Sequence, residues 1–206
     1  MSALLAYPLS LKNLPGKRIL NFYIFFTMLF NGGLVPTYLM YTGIFHINNT
    51  LLAYIVPGLL MSAMNVMLIR TFFATSIPDA LFEAAQIDGA SQFQTFFKIV
   101  LPLGKPILIA MGLLSGLGYW NDWTNGLYYI RDTKLYGIQN LLNKMISDLT
   151  ALTQNASGAS TVAIADIPSA SVRMAIAFVA MLPILCLYPF LQRYFTKGIA
   201  LGAVKG

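Results

Sequence analysis

One histidine (His46), one cysteine (Cys186), one glutamate (Glu83) and six aspartates are all that 206 residues offer for acid–base, nucleophilic or metal chemistry. A lone thiol makes no internal disulfide and no cysteine-based metal site. No second ligand lies near His46, which reads as a solvated or interfacial side chain, and no nucleophile–base constellation is visible. No catalytic residue and no metal site is expected. The phosphate-cradling pattern G-x-x-x-x-G-K-[ST] does not occur, so the chain should hold no nucleotide cofactor of its own. The polar residues worth weighing stand inside apolar stretches: Asn65, and the cluster Tyr119, Trp120, Asn121, Asp122, Trp123 with Asn125 nearby. Polar groups are costly in lipid and usually face a cavity or another helix. Aromatic faces beside amides suit a sugar, whose C–H face stacks while its hydroxyls need partners. Trp and Tyr near the end of a span also serve as interfacial anchors, and both readings stay open. An acidic solute would be repelled by Asp122, which would then favour a structural role there.

The elements that must position these groups follow from composition. The chain is 57% hydrophobic, 13% aromatic and 10% charged, against roughly 25% charge in soluble domains, and its mean hydropathy is +0.69. Water could hold such a surface only if nearly every apolar side chain were buried, and a chain of this size keeps much of itself outside. The bilayer is the expected solvent. Disorder, a coiled coil and nucleic-acid binding are excluded. Spans of about 20 apolar residues are predicted at about 19–41, 51–73, 106–130 and 172–195, giving one all-α transmembrane bundle over 1–206. Asn31-Gly32-Gly33 and Pro36 interrupt the first, while Pro57-Gly58, Pro183 and Pro189 read as kinks in the second and fourth. Gly112 and Gly116, with Gly118 beside them, read as a helix-packing pair. Cys186 reads as a small apolar filler.

Lysine and arginine placement orients the bundle. One set of connections holds Lys12, Lys17, Arg18, Arg70, Lys98, Lys105, Arg193, Lys197 and Lys205 against Asp79, Glu83 and Asp88, a net of +6. The other holds Arg131, Lys134, Lys144 and Arg173 against Asp122, Asp132, Asp148 and Asp166, a net of zero. The first side is predicted cytoplasmic, with the C-terminus on it. Met1 to Leu11 is apolar but too short to span and makes a poor signal peptide. It reads as the cytoplasmic end of an earlier membrane helix or as a short interfacial helix.

The cytoplasmic connection, 74–105, is the most informative. Ser76 is placed to cap a short helix with Pro78 in its first turn and Asp79 at the third position. That helix, about Ile77 to Ile87, should end at Asp88-Gly89, the glycine taking a left-handed turn. Ser91 can cap a second helix that stops before Pro102. Together they form a helical hairpin with a small-residue patch, Ala84-Ala85, beside Glu83.

Glu83-Ala84-Ala85, Gly89, and Ile99-x-Leu101-Pro102 at this spacing resemble the EAA loop of bacterial ABC import permeases. Phe30-Asn31-Gly32-Gly33-Leu34-Val35-Pro36-Thr37-Tyr38, Tyr119-Trp120-Asn121-Asp122-Trp123 and the tail Lys197 to Gly206 resemble the carbohydrate-importer branch related to the maltose permease subunits. Within it the likeness is to permeases for oligosaccharides from polygalacturonan or alginate-like polymers. Full members carry further spans ahead of these four, so the chain looks N-terminally truncated. The resemblance implies an inner-membrane, multi-pass permease that couples to a pair of separate ABC ATPase subunits, which bind the ATP. It also implies a second, homologous permease subunit and an extracytoplasmic solute-binding protein that delivers the sugar to the outer loop, 131–171. Glu83, Ala84, Ala85, Gly89, Ile99, Leu101 and Pro102 would form the ATPase-coupling element. The tail would touch the ATPase pair, although a basic juxtamembrane tail needs no partner.

Two other classes compete. A standalone channel or secondary transporter would need charge relays within the spans, and only Asp122 comes close. An importer of a non-sugar solute would carry the same coupling loop. The sequons at Asn48 and Asn155 read as noise in a bacterial membrane protein.

Overall fold

Glycine and proline punctuate the apolar stretches, and the helices bend at those residues. The computed structural model describes residues 1–59, 61–155, 171, 174–186 and 189. Within them the chain is helical and carries no strand. The helices are α1 (Ser2–Ser10), α2 (Lys17–Leu29), α3 (Leu34–Ile44), α4 (Leu52–Leu59), α5 (Ala63–Ser76), α6 (Asp79–Ile87), α7 (Gln92–Leu103), α8 (Lys105–Trp120), α9 (Thr124–Tyr129), α10 (Ile138–Asn155) and α11 (Met174–Cys186). No single described helix is long and apolar enough to cross a membrane. Three bent pairs qualify by length and composition: α2 with α3 at 108°, α4 with α5 at 57°, and α7 with α8 at 78°.

Each bend has a local cause. Between α2 and α3, Gly33 takes φ +85 and its amide donates to Asn31 Oδ1 at 3.0 Å. Between α4 and α5, Pro57 (ψ 60) and Gly58 (φ 143) leave helical geometry. Ser62 restarts the helix, its Oγ accepting from the Asn65 amide at 3.4 Å. Between α7 and α8, Gly104 is buried where a Cβ would lie 2.5 Å from Phe73 Cε1.

Three sequence expectations are corrected here. Ser76 does not cap α6; it is the last residue of α5, and α6 starts after an extended Ile77-Pro78 with no side-chain cap. Proline disfavours the helical region for the residue before it, which forces the break at Ile77. The second hairpin helix does not stop before Pro102 but runs to Leu103. A π-turn over Phe96–Val100 precedes the proline, the Leu101 amide donating to the Phe96 carbonyl. That wider turn removes the ring clash with the carbonyl four residues back that ends an ordinary helix. The apolar run 106–130 is not one helix either: α8 ends at Trp120, and the chain turns through Asn121 to Trp123 before α9.

Two apolar clusters organise the packing. The larger joins Ala6, Tyr7 and Leu9 of α1 to Ile24 of α2, Val66, Ile69 and Phe73 of α5, Ile77, Phe96 and Val100 of α7, and Met111 of α8. The smaller gathers Tyr38, Tyr41, Ala53, Tyr54, Tyr129, Ile130 and Tyr136. Much of the apolar surface stays outside both. Helix α2 buries only Ile24 and leaves Phe22 66% exposed, as is Phe30 just past its end. Burying one such side chain is worth about 2 kcal/mol, so a face like this calls for lipid or partner helices rather than water.

Candidate functional site

The hairpin is built from short-range chemistry. Helix α6 closes as the Asp88 amide donates to the Ala84 carbonyl and the Ala90 amide to the Ala85 carbonyl, both at 2.9 Å. Gly89 sits at φ +72, in the left-handed region that glycine enters without penalty. Ser91 then opens α7 with a capping box. The Gln94 amide donates to Ser91 Oγ at 3.3 Å, and the Ser91 amide donates to Gln94 Oε1 at 2.9 Å. The cap expected at Ser91 is present.

Glu83, Ala84, Gly89 and Pro102 are exposed, and Ile99 and Leu101 are partly buried. Ala85 is covered, so the small patch expected at Ala84-Ala85 consists of Ala84 alone; a 3.6-residue turn points neighbours in different directions. At the tip Ile87 is 86% exposed, and Phe93 on α7 is 72% exposed. The hairpin therefore presents a carboxylate, a methyl-sized surface and two large apolar groups together.

A cavity of about 830 Å³ lies between the end of α1 and the hairpin, with Tyr7, Lys12, Asp79, Glu83, Gln86 and Phe93 in its wall. Lys12 Nζ donates to Asp79 Oδ2 at 2.5 Å. That hydrogen bond, the charge of Asp79 and the more distant charge of Glu83 hold the Lys12 pKa above its ordinary 10.5. A raised folded value means that the clasp contributes fully below the ordinary lysine value and is lost as pH rises through the folded one. Both side chains are mostly exposed, so salt screens the pair.

The candidate path residues meet at the break between α8 and α9. Tyr119 and Trp123 are partly exposed, and Trp120 Nε1 donates to the Ala180 carbonyl of α11 at 2.9 Å, tying α8 to α11. Asp122 is engaged locally: Oδ1 accepts from the Asn125 amide at 3.1 Å and Oδ2 from Asn125 Nδ2 at 2.7 Å. Its carboxylate thus steadies the first turn of α9. Asn121 is exposed at the C-cap of α8. Asn65 Nδ2 donates to Ser115 Oγ at 3.2 Å, and Ser115 lies one helical turn before Tyr119 on the same face of α8. Asn65, Trp120, Asp122 and Asn125 therefore have structural partners, and Tyr119 and Trp123 keep the freest ring surface.

Sequence reasoning missed the side chain that holds this break in place. Asn140 of α10 is 7% exposed, its Nδ2 donating to the Trp123 carbonyl at 2.6 Å and its Oδ1 accepting from Tyr54 Oη at 3.5 Å. A Cβ on Gly126 would collide with the Asn140 amide. Asn49, at φ +56, accepts from the Arg131 and Asp132 amides at 3.1 and 2.8 Å. Only a turn-prone asparagine pair at 48–49 hinted at this role. Asn21 was missed as well; its Oδ1 is buried without a hydrogen-bond partner among the described residues. A Cβ on Gly112, Gly116 or Gly118 would meet nothing within 4 Å among the described residues, so no described helix packs on this glycine pair. Cys186 is exposed rather than a core filler. The tail 197–206 and the outer-loop segment 156–170 lie outside the described residues.

The described chain is thus a set of bent apolar helix pairs together with an exposed helical hairpin, α6–α7. Among the described residues, no group of three His, Cys, Asp or Glu side chains is placed to hold a metal. The chain belongs to the binding-protein-dependent transport system inner membrane component family, whose sequence profile matches residues 1–201. It is 37% identical over 204 residues to Protein LplC of Bacillus subtilis (strain 168), an alignment that covers 98% of this chain and 66% of that protein. It is 36% identical over 210 residues to the polygalacturonan/rhamnogalacturonan transport system permease protein YtcP of the same organism, covering all of this chain and 70% of that one. A crystal structure of a bacterial ABC transporter involved in the import of the acidic polysaccharide alginate superposes with a TM-score of 0.77 at 30% identity, over 92% of this chain and 66% of that chain. The chain spans about two thirds of the length of the relatives it matches. The all-α fold and the importer-permease family expected from the Glu83-to-Pro102 motif agree with these likenesses.

Proposed function

We propose that the chain is the membrane-spanning permease subunit of an ATP-driven importer of carbohydrate, an oligosaccharide, and that the hairpin α6–α7 couples it to a separate ATPase. The family match across residues 1–201 carries this reading, and the exposed hairpin gives it a physical form. Ala84 lets a partner backbone approach closely, as small residues do in helix packing. Glu83 can accept a charge-assisted hydrogen bond from an arginine or a backbone amide at the rim of the partner's cleft, and Ile87 and Phe93 bury on docking. The partner pair binds and hydrolyses ATP, and this chain does neither. A second, homologous permease completes the path, and a solute-binding protein feeds it from the side of the 131–171 loop. The protein is multi-pass in the inner membrane with its C-terminus in the cytoplasm.

For the solute, Tyr119 and Trp123 offer the stacking surface, and Asn65 and Asn121 the hydrogen-bonding edges. The Asp122 carboxylate is held by Asn125, which favours a structural role for it over contact with an anionic sugar. Screening sugars against the cognate binding protein by thermal shift should identify an oligosaccharide. ATP-driven uptake of that sugar should then fall at least about tenfold in Glu83→Lys, which loses a charge-assisted contact, and in Gly89→Pro, because proline cannot take the left-handed turn. Undiminished sugar-stimulated ATP hydrolysis in both variants would contradict the coupling role.

A further inference from the structure

Tyr7 belongs to α1, outside the hairpin sequence, yet it touches both arms of the hairpin. Its hydroxyl donates to Gln92 Oε1 on α7 at 2.7 Å. Its ring centroid lies 5.4 Å from that of Phe96 on α7 and 6.3 Å from that of Phe82 on α6. The side chain is only 6% exposed. Helix α1 in turn is fixed to the bundle: Ala6 and Leu9 are buried in the cluster that holds Val66, Ile69 and Phe73 of α5, and Arg70 Nε donates to the Leu9 carbonyl at 3.2 Å.

The covalent connections of the hairpin are weak points by comparison. At one end it joins α5 through extended Ile77-Pro78, and at the other it meets α8 across the 78° bend at Gly104. A load applied at the tip would be absorbed by rotation at those two places unless side chains brace the arms. Tilted ring contacts resist separation but leave a range of orientations; the hydroxyl–amide bond adds the direction they lack.

We infer that Tyr7 is a positioning residue for coupling: it locks the hairpin to α1, so that movement imposed on the tip passes to α5 and the bundle. The inference rests on reading the hairpin as the coupling arm. The pair Tyr7–Gln92 is the specific element, because phenylalanine in its place would serve equally well as packing.

The test uses the full chain in membranes together with its partner subunits. In a Cys186→Ala background, nitroxides at Met64→Cys on α5 and Ile87→Cys at the tip report the hairpin's orientation as a distance distribution. Tyr7→Phe and Gln92→Leu should both widen it. Gln92→Glu, which keeps an acceptor for the hydroxyl, should leave it as in the parent. In unlabelled complexes, sugar moved per ATP hydrolysed should fall about fivefold in Tyr7→Phe and in Gln92→Leu, in keeping with the loss of one hydrogen bond, while basal hydrolysis and the yield of assembled complex hold. A distribution unchanged in both variants, or uptake and hydrolysis falling together with complex yield, overturns the inference. If the unaltered complex shows no ATP-driven uptake, the importer reading fails, and the distance widths still decide whether Tyr7 braces the hairpin.

Discussion

Gly126 has no side chain because Asn140 occupies the volume where a Cβ would sit. That constraint gives a direct prediction. Gly126→Ala should displace the Asn140 amide from the Trp123 carbonyl and leave buried polar atoms unpaired, at a cost of about 1–3 kcal/mol. Thermal unfolding in detergent would register it as a lower midpoint. Adding Asn140→Ala should cost much less than the sum of the two single changes, because the collision is then gone; full additivity would show that the two residues do not interact. At this scale the sequence reveals residues whose chemistry is local. Gly89 was legible because a left-handed turn demands glycine, and Ser91 because serine is a favoured helix cap; the Gln94 half of the box emerged only in the structure. Tyr7 and Gln92 are 85 residues apart, and Asn140 and Tyr54 are 86 apart. No local pattern announces such partners. Asp122 shows the converse: its residue type suggested the transport path, while its oxygens are taken by Asn125.

Among the elements, the hairpin depends on its caps more than on helix propensity, since α6 is nine residues long and α7 opens into a π-turn after four. Short helices are marginal on their own. Ser91→Ala removes one side of the capping box and should destabilise the start of α7 by about 1 kcal/mol. Amide exchange at Gln94 should accelerate about fivefold, and Ser91→Thr should restore most of the protection. Exchange at Gln94 that stays at the parent rate would mean that packing from Tyr7 and Phe82 alone sets the hairpin. The helical pattern of the loop was readable from the sequence, but its ends were less so. A serine two residues before a proline looks like a cap, yet α5 extends through it. A proline looks like a stop, yet a π-turn carries the helix past it. The spans were readable as apolar runs, and the size of each bend was not, because composition gives length without direction.

At the scale of the molecule, the described residues expose more apolar surface than water tolerates, and α2, whose Phe22 and Phe26 continue to Phe30 at its C-cap, is the plainest case, successive rings lying 6.1 and 4.3 Å apart. In the proposed assembly such faces meet lipid and the second permease, while the hairpin points the other way, into the cytoplasm and the ATPase. That geometry can be checked with one labelling measurement. In a Cys186→Ala background, a single cysteine replacing Ile87 at the exposed tip is treated with a membrane-impermeant maleimide, first in intact cells and then in inverted vesicles. The account predicts no reaction in intact cells, ready reaction in inverted vesicles, and protection there once the ATPase subunit is bound. Labelling of position 87 from outside intact cells, or reaction in inverted vesicles that bound ATPase leaves unchanged, would contradict it.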